Sequence, residues 1–128
     1  MSPSPLRCAV VGVGYWGPNF VRNLSALPET DLVTVCDRDA SALDRIARQY
    51  PAVETSIDLH DVLEDPSIDA VVIATPISTH HRLAEEALRA GKHVLVEKPL
   101  AGTSEDASEL IRLADERRLT LMPGHTSA

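Results

Sequence analysis

Hydrophobic and polar positions alternate along this chain in blocks that have the lengths of strands and helices. Short, nearly continuous apolar runs are typical of strands buried on both faces of a parallel sheet. Between the runs, apolar residues recur at i, i+3, i+4 and i+7, the spacing of one helix face. The predicted strands are residues 8–11, 32–36, 52–55, 70–74, 94–96 and 119–122, and helices are predicted to join them.

Several helix ends carry signals of their own. Asp39 is the predicted N-cap of the second helix. Thr103 is predicted to cap the fifth helix, with Asp106 three residues later in a pattern similar to a capping box. Gly91 follows the fourth helix where a left-handed C-cap is expected. The residues predicted to face inward on the four longer helices are Phe20, Val21, Leu24 and Leu27, then Leu43, Ile46, Ala47 and Tyr50, then Leu83, Ala84, Ala87 and Leu88, then Ala107, Leu110, Ile111 and Ala114.

This alternation of strands and helices predicts an α/β fold with a parallel sheet covered on both faces. Right-handed crossovers and a reversal after the third strand give the order 3-2-1-4-5-6, the doubly wound Rossmann arrangement. Residues 1–5 are a Ser/Pro tail that we expect to be disordered. Residues 6–126 are predicted to form the single domain.

The first predicted strand is followed by glycines at the three positions of G-x-G-x-x-G. Gly12 allows the tight turn, Gly14 lets backbone approach a diphosphate, and Gly17 lets the helix pack against the strand. Pro18 is tolerated in the first helical turn, where amides have no intrahelical partner. These free amides and the positive end of the helix dipole form a phosphate site. The motif predicts dinucleotide binding.

An acidic residue stands at the end of the second predicted strand. Asp37 lies 20 positions after Gly17, a distance at which a carboxylate can accept hydrogen bonds from an adenosine ribose and repel a 2′-phosphate. NAD is therefore the expected cofactor. Arg38 keeps NADP possible, because an arginine beside the acid can pair with the extra phosphate or stack on adenine.

Composition narrows the classes of partner. The chain has 128 residues and a net charge of −7, which argues against nucleic acid or an acidic membrane as a partner. No apolar stretch approaches the roughly 18 residues of a membrane span, and the first residues lack the basic start and apolar core of a signal peptide. We therefore expect a cytoplasmic protein.

The cysteines and histidines carry no metal or disulfide signal in the sequence. Cys8 and Cys36 fall on neighbouring strands but about 10 Å apart in level, at about 3.3 Å per residue, which exceeds the reach of a disulfide. The five histidines show no metal-ligand spacing. We expect two buried free thiols and no metal site.

Polar or glycine-containing segments follow five of the predicted strands. In a doubly wound sheet these strand ends lie along one edge, where ligands bind. The sequences GVGYWG, VCD, ATPxxxH from Ala74 to His80, EKP from Glu97 to Pro99 and the final PGH, in this order, resemble the nucleotide-binding half of the Gfo/Idh/MocA oxidoreductases. The resemblance covers about residues 6–126. The residues of the glycine motif are most similar to those of family members that oxidise sugars or cyclitols.

The resemblance implies roles for the EKP segment. In the family its lysine points toward the substrate hydroxyl, so Lys98 is the expected catalytic residue. An ammonium there can orient the hydroxyl and stabilise negative charge that develops on oxygen. Glu97 is expected to hold this lysine and to contact the nicotinamide ribose. His125 matches a family position near the substrate.

Other cofactor contacts are also implied by the resemblance. Thr75 and Pro76 are expected to line the nicotinamide side. His80 either contacts the cofactor or packs in the first turn of the fourth helix. Tyr15 and Trp16 either cover the diphosphate loop or pack at the start of the first helix.

Members of the family continue into a second α/β domain, which provides most of the sugar pocket, a general acid or base and the oligomer interface. From the final HTSA we expect that this C-terminal substrate domain is absent. Three hypotheses follow: a truncated dinucleotide-binding domain, half of an oxidoreductase completed by a partner chain, and a non-catalytic binding module. A sugar or cyclitol substrate would need the second domain or chain. An uncovered apolar patch would favour self-association.

Overall fold

A computed structural model describes residues 4–14, 17–97 and 101–124 of the chain. Six parallel strands form one sheet in the order β3-β2-β1-β4-β5-β6, which confirms the predicted topology. The strands are β1 (Leu6–Val11), β2 (Thr30–Cys36), β3 (Glu54–Ser56), β4 (Ala70–Ile73), β5 (His93–Glu97) and β6 (Leu121–Gly124). The helices are α1 (Gly17–Ala26), α2 (Ala40–Gln49), α3 (Leu59–Leu63), α4 (His80–Arg89) and α5 (Ser104–Arg117), with a short 3₁₀-helix at Ile77–Thr79.

The central strand β1 shows why the sheet needs helices on both faces. Val10 packs with buried residues of α1 and α2 on one face. Its neighbours Ala9 and Val11 pack with buried residues of α3, α4 and α5 on the other. Side chains alternate along a strand, so an apolar run such as that of β1 supplies two separate cores.

The predicted helix caps are present. The Asp39 carboxylate accepts a hydrogen bond from the Ser41 amide, and the Thr103 hydroxyl oxygen accepts one from the Asp106 amide. Gly91 has a φ of +83° just beyond α4, the left-handed conformation expected of a glycine there.

Two residues predicted to face inward are exposed. Leu27 is 46% exposed, because α1 ends one residue before it. Ile111 is 52% exposed, because Leu110 and Ala114 take the buried face of α5 and the next position along a helix points about 100° away.

The last strand begins later than the apolar pattern predicted. Arg118, at the end of α5, has a φ of +56°, and the Leu119 amide donates to the Ala114 carbonyl. Residues 118–119 therefore close the helix, and pairing with β5 begins with Leu121 opposite Val94. The third strand is similarly shifted, from the predicted 52–55 to Glu54–Ser56.

The two cysteines are buried and free. Cys36 lies opposite Val11, three residues along β1 from Cys8, as the strand levels predicted. Among the described residues no helix is long and apolar enough to cross a membrane. Location in the cytoplasm stays a prediction.

The apolar patch expected near the last strand stays a prediction, although two large apolar side chains in that region are exposed. Met122 on β6 is exposed, as is Ile111 on α5. Self-association through these side chains stays a prediction.

Candidate functional site

A cavity of about 850 Å³ opens at the carboxyl ends of the strands, the edge where doubly wound sheets bind ligands. It brings together eight of the residues singled out in the sequence: Gly12, Gly14, Asp37, Arg38, Thr75, Pro76, His80 and Glu97. Gly17 is not among the lining residues and lies beneath the turn. Tyr15, Trp16, Lys98 and His125 are outside the described residues.

The three glycines of the turn meet three different surroundings. Gly12 has a φ of +94°, and a Cβ there would lie 2.8 Å from the Thr75 Cγ2 atom and 2.9 Å from the Ala74 carbonyl oxygen. At Gly17 a Cβ would lie 2.1 Å from the Gly12 carbonyl oxygen. At Gly14 it would meet no atom of the described residues within 4 Å. The first and third glycines are thus required by the fold, whereas the second leaves open space above the backbone.

The Asp37 carboxylate is tied to the glycine turn. Its Oδ2 atom accepts a hydrogen bond of 2.8 Å from the Val13 amide, and its Oδ1 atom accepts one of 2.8 Å from the Asp39 amide. A carboxylate has about four lone-pair positions, so these two bonds leave room for two further donors. The sequence suggested a ribose contact for Asp37 but not this second task of holding the turn.

Arg38 lies beside this carboxylate in the cavity wall. It is exposed, and among the described residues it forms no salt bridge.

The opposite wall is built by the segment between β4 and α4. The Thr75 and Thr79 hydroxyls lie 2.7 Å apart, and the Thr79 hydroxyl donates to the Pro76 carbonyl at 2.6 Å. The His80 Nε2 atom lies 2.8 Å from the Thr75 carbonyl oxygen, and the side chain is 1% exposed. A carbonyl can only accept, so Nε2 carries the proton of this bond. His80 therefore packs within the fold while one side of it lines the cavity.

Several lining residues were missed by the sequence analysis. Ile57, Asp58 and Leu59 follow β3 and border the cavity next to Arg38. Their position directly after a strand is the signal that could have identified them, since ligands bind at the carboxyl ends of the strands in such a sheet. Arg82, in the first turn of α4, also lines the cavity and had no signal in the sequence.

Cys36 also lines the cavity, but its thiol is unreactive near neutral pH. Burial raises its pKa to about 11, and the neighbouring Asp37 carboxylate adds to the effect. A thiol with such a pKa stays protonated near neutral pH, so Cys36 is not a nucleophile there.

A family model for oxidoreductases with an NAD-binding Rossmann fold, Gfo/Idh/MocA, matches residues 6–125. The chain belongs to the Gfo/Idh/MocA family. The expectation drawn from its strand-end motifs is thereby confirmed. The chain is an NAD-binding Rossmann domain of this family, and the open space above Gly14 beside a fixed carboxylate fits a nicotinamide dinucleotide.

One relative in the Gfo/Idh/MocA family is named as a dehydrogenase. The chain is 40% identical over 111 residues to the scyllo-inositol 2-dehydrogenase (NAD(+)) of Bacillus subtilis (strain 168), with 84% of this chain and 32% of that protein covered.

Two solved structures are also similar. GenD2 from gentamicin A biosynthesis, in complex with NAD, is 36% identical with a TM-score of 0.90, covering 95% of this chain and 35% of that one. KijD10, a 3-ketoreductase from Actinomadura kijaniata in complex with TDP-benzene and NADP, is 32% identical with a TM-score of 0.88, covering 94% and 38%. The chain thus spans about a third of the length of these family members.

Proposed function

We propose that this domain binds NAD in preference to NADP in the cavity, and that it serves as the cofactor-binding part of an oxidoreductase acting on a hydroxyl-bearing carbon of a sugar or cyclitol. The observation that carries the preference is the Asp37 carboxylate, fixed by the Val13 and Asp39 amides at the cavity wall.

The diphosphate is proposed to lie over Gly14. A Cβ added at Gly14 would meet none of the described residues within 4 Å, and α1 begins three residues later, at Gly17. Helix N-termini attract anions through free amides and the helix dipole. The first turn of α1 contains no acidic residue, so no side chain in that turn opposes a negative ligand.

The adenosine ribose is proposed to lie against Asp37. The lone pairs left over from its two backbone hydrogen bonds can accept from the ribose hydroxyls, and its negative charge opposes a 2′-phosphate. Asp58 is a second acid in the same wall, and its Oδ1 atom is occupied by the His60 amide. Three carboxylates line the cavity, those of Asp37, Asp58 and Glu97, against the two guanidiniums of Arg38 and Arg82. The lining is therefore acidic on balance, which favours NAD.

The nicotinamide is proposed to lie on the side of Thr75 and Pro76, whose backbone is held by Thr79 and His80. A bound nicotinamide supplies the site that accepts or gives a hydride. Glu97 ends β5 in the cavity wall. The following Lys98 is proposed to orient the substrate hydroxyl and to stabilise negative charge on its oxygen.

The substrate class is proposed from the relatives. One oxidises an inositol, one belongs to gentamicin A biosynthesis, and one is a 3-ketoreductase crystallised with a TDP compound. Since these proteins are about three times as long as this chain, we place most substrate-binding residues in a second domain or a partner chain.

Fluorescence titration with NADH and NADPH tests the cofactor assignment. We expect saturable NADH binding at least about tenfold tighter than NADPH binding, since one hydrogen bond to a charged group contributes about 1.5–3 kcal/mol. Asp37→Ala should bring the two affinities close together. Asp39→Ala should leave the ratio of the NADH and NADPH affinities unchanged, because the carboxylate that it removes does not line the cavity. Absence of saturable NADH binding at millimolar concentration would refute the proposal.

The role of Lys98 is tested in the enzyme that carries this domain. Lys98→Ala should lower kcat while NADH affinity is retained. Loss of NADH affinity in that variant would assign Lys98 to the cofactor instead, and an unchanged kcat would remove it from the chemistry.

A further inference from the structure

Helices α4 and α5 bring four metal-ligating side chains together away from the cavity. α4 contributes His81 and Glu85, four residues apart, and α5 contributes Asp106 and Glu109, three residues apart. Both spacings put side chains on the same face of a helix. None of these four residues lines the cavity described above.

An unsatisfied nitrogen lies at the centre of this group. The His81 Nε2 atom exposes less than 1 Å² and has no hydrogen-bond partner among the residues that the structure describes. A buried polar atom without a partner is unfavourable by about 1–3 kcal/mol. A ligand that the protein does not supply, either a water molecule or an ion, would satisfy this atom.

The surrounding oxygens lie at distances that fit ion pairs with a protonated His81 and also fit ligands that share one metal ion. Glu109 Oε1 lies 3.6 Å and Glu85 Oε2 3.7 Å from His81 Nε2. These distances are longer than the roughly 2.7–2.9 Å of a charge-assisted hydrogen bond. They approach the separation of about 3.4 Å between two ligands of a tetrahedral zinc ion with bonds of about 2.0–2.2 Å.

Asp106 completes the set. One ligand atom from each of His81, Asp106 and Glu109 can be chosen so that all lie within 4.8 Å of one another. Glu85 is partly engaged elsewhere, since its Oε1 atom lies 3.3 Å from Arg89 Nε. Its Oε2 atom remains close enough to act as a fourth ligand.

We propose that His81, Asp106 and Glu109, with Glu85 in support, form a Zn²⁺ site that joins α4 to α5. One imidazole with several carboxylates is a donor set that zinc accepts, and the cation offsets the charge of three acids in a chain of net charge −7. The sequence pattern predicted no metal site, because these ligands come from two helices and include a single histidine.

The proposed ion is structural. His81 directly follows His80, which holds the Thr75 carbonyl at the cavity wall. Joining α4 to α5 would therefore fix the start of α4 relative to the cavity without touching a ligand inside it. The proposal does not depend on which dinucleotide the cavity binds.

Calorimetric titration of the metal-free chain with ZnCl₂ tests this site. We expect one saturable equivalent and a Tm that rises with ZnCl₂ and falls on adding EDTA, because a ligand of the folded state stabilises it by mass action. Glu109→Gln, which keeps the shape of an exposed side chain, and His81→Ala should each weaken zinc binding at least about tenfold.

His60→Ala is the matched control, since this exposed histidine of α3 also lies near acidic residues. It should leave zinc affinity unchanged. Circular dichroism checks that each variant is folded. If His81→Ala does not fold, Glu109→Gln decides the outcome. The proposal is overturned if the wild-type chain has no saturable zinc site, if folded Glu109→Gln binds zinc as the wild type does, or if His60→Ala abolishes binding.

Discussion

Replacing Gly14 by alanine should separate cofactor binding from stability. Within the part of the chain that the structure describes, a Cβ at this position meets no atom within 4 Å, and the backbone does not have the positive φ that would strain an alanine. The folded domain therefore accommodates the methyl group. The same methyl group enters the space where we propose that the diphosphate lies against the backbone.

The two effects have opposite signs and can be estimated. Gly→Ala at an unstrained position raises the free energy of unfolding by about 0.4–1 kcal/mol, because the unfolded chain loses freedom. Loss of one backbone hydrogen bond to a charged phosphate oxygen removes about 1.5–3 kcal/mol of binding, which is about 10- to 150-fold in Kd. Gly14→Ala should thus be slightly more stable and clearly weaker in NADH binding.

Urea denaturation and NADH fluorescence measure the two quantities on the same samples. Gly102→Ala is the control, because a Cβ there also meets no atom of residues 4–14, 17–97 and 101–124 within 4 Å and Gly102 is not among the described residues that line the cavity. It should share the gain in stability and keep the wild-type Kd. Unchanged NADH affinity in Gly14→Ala would show that the phosphates lie elsewhere.

Three further outcomes follow from the structure. Gly17→Ala should lower the free energy of unfolding, measured by urea titration, by about 1–3 kcal/mol, because its Cβ would lie 2.1 Å from the Gly12 carbonyl oxygen. A variant as stable as the wild type would contradict this packing. Burial raises the pKa of Cys8 and Cys36 to about 11. A thiol reagent at pH 8 should therefore modify these thiols in the folded chain roughly a thousandfold more slowly than it modifies a free thiolate. Rapid labelling would show that the thiols are accessible. Hydrogen bonds from Ser41 lower the pKa of Asp39 below its ordinary 3.8. The loss of unfolding free energy in Asp39→Ala, measured by urea titration, should therefore be largest well above pH 3.8 and should shrink as the pH falls through the lowered pKa. A loss that does not change with pH would exclude this ionisation.

The parts of the fold that depend on local chemistry were predictable from the sequence. The G-x-G-x-x-G turn assigns a separate task to each glycine, and the surroundings of Gly12, Gly14 and Gly17 match those tasks. The caps at Asp39 and Thr103 likewise involve residues two or three positions apart. Such features need no knowledge of distant parts of the chain.

Features that depend on distant contacts were not predictable. The bond from the Val13 amide to Asp37 joins residues 24 apart, and neither residue type reveals it. The later start of β6 depends on the chain reversal at Arg118, a residue without the usual preference for a positive φ. The group around His81 exists only because α4 and α5 pack side by side.

A crystal structure of the chain grown with millimolar NAD tests the central claim most directly. We expect diphosphate oxygens within hydrogen-bond distance of backbone amides at Gly14 and the start of α1, with a ribose hydroxyl on Asp37. Dinucleotide bound elsewhere on the domain, or a cavity without it, would contradict this binding mode.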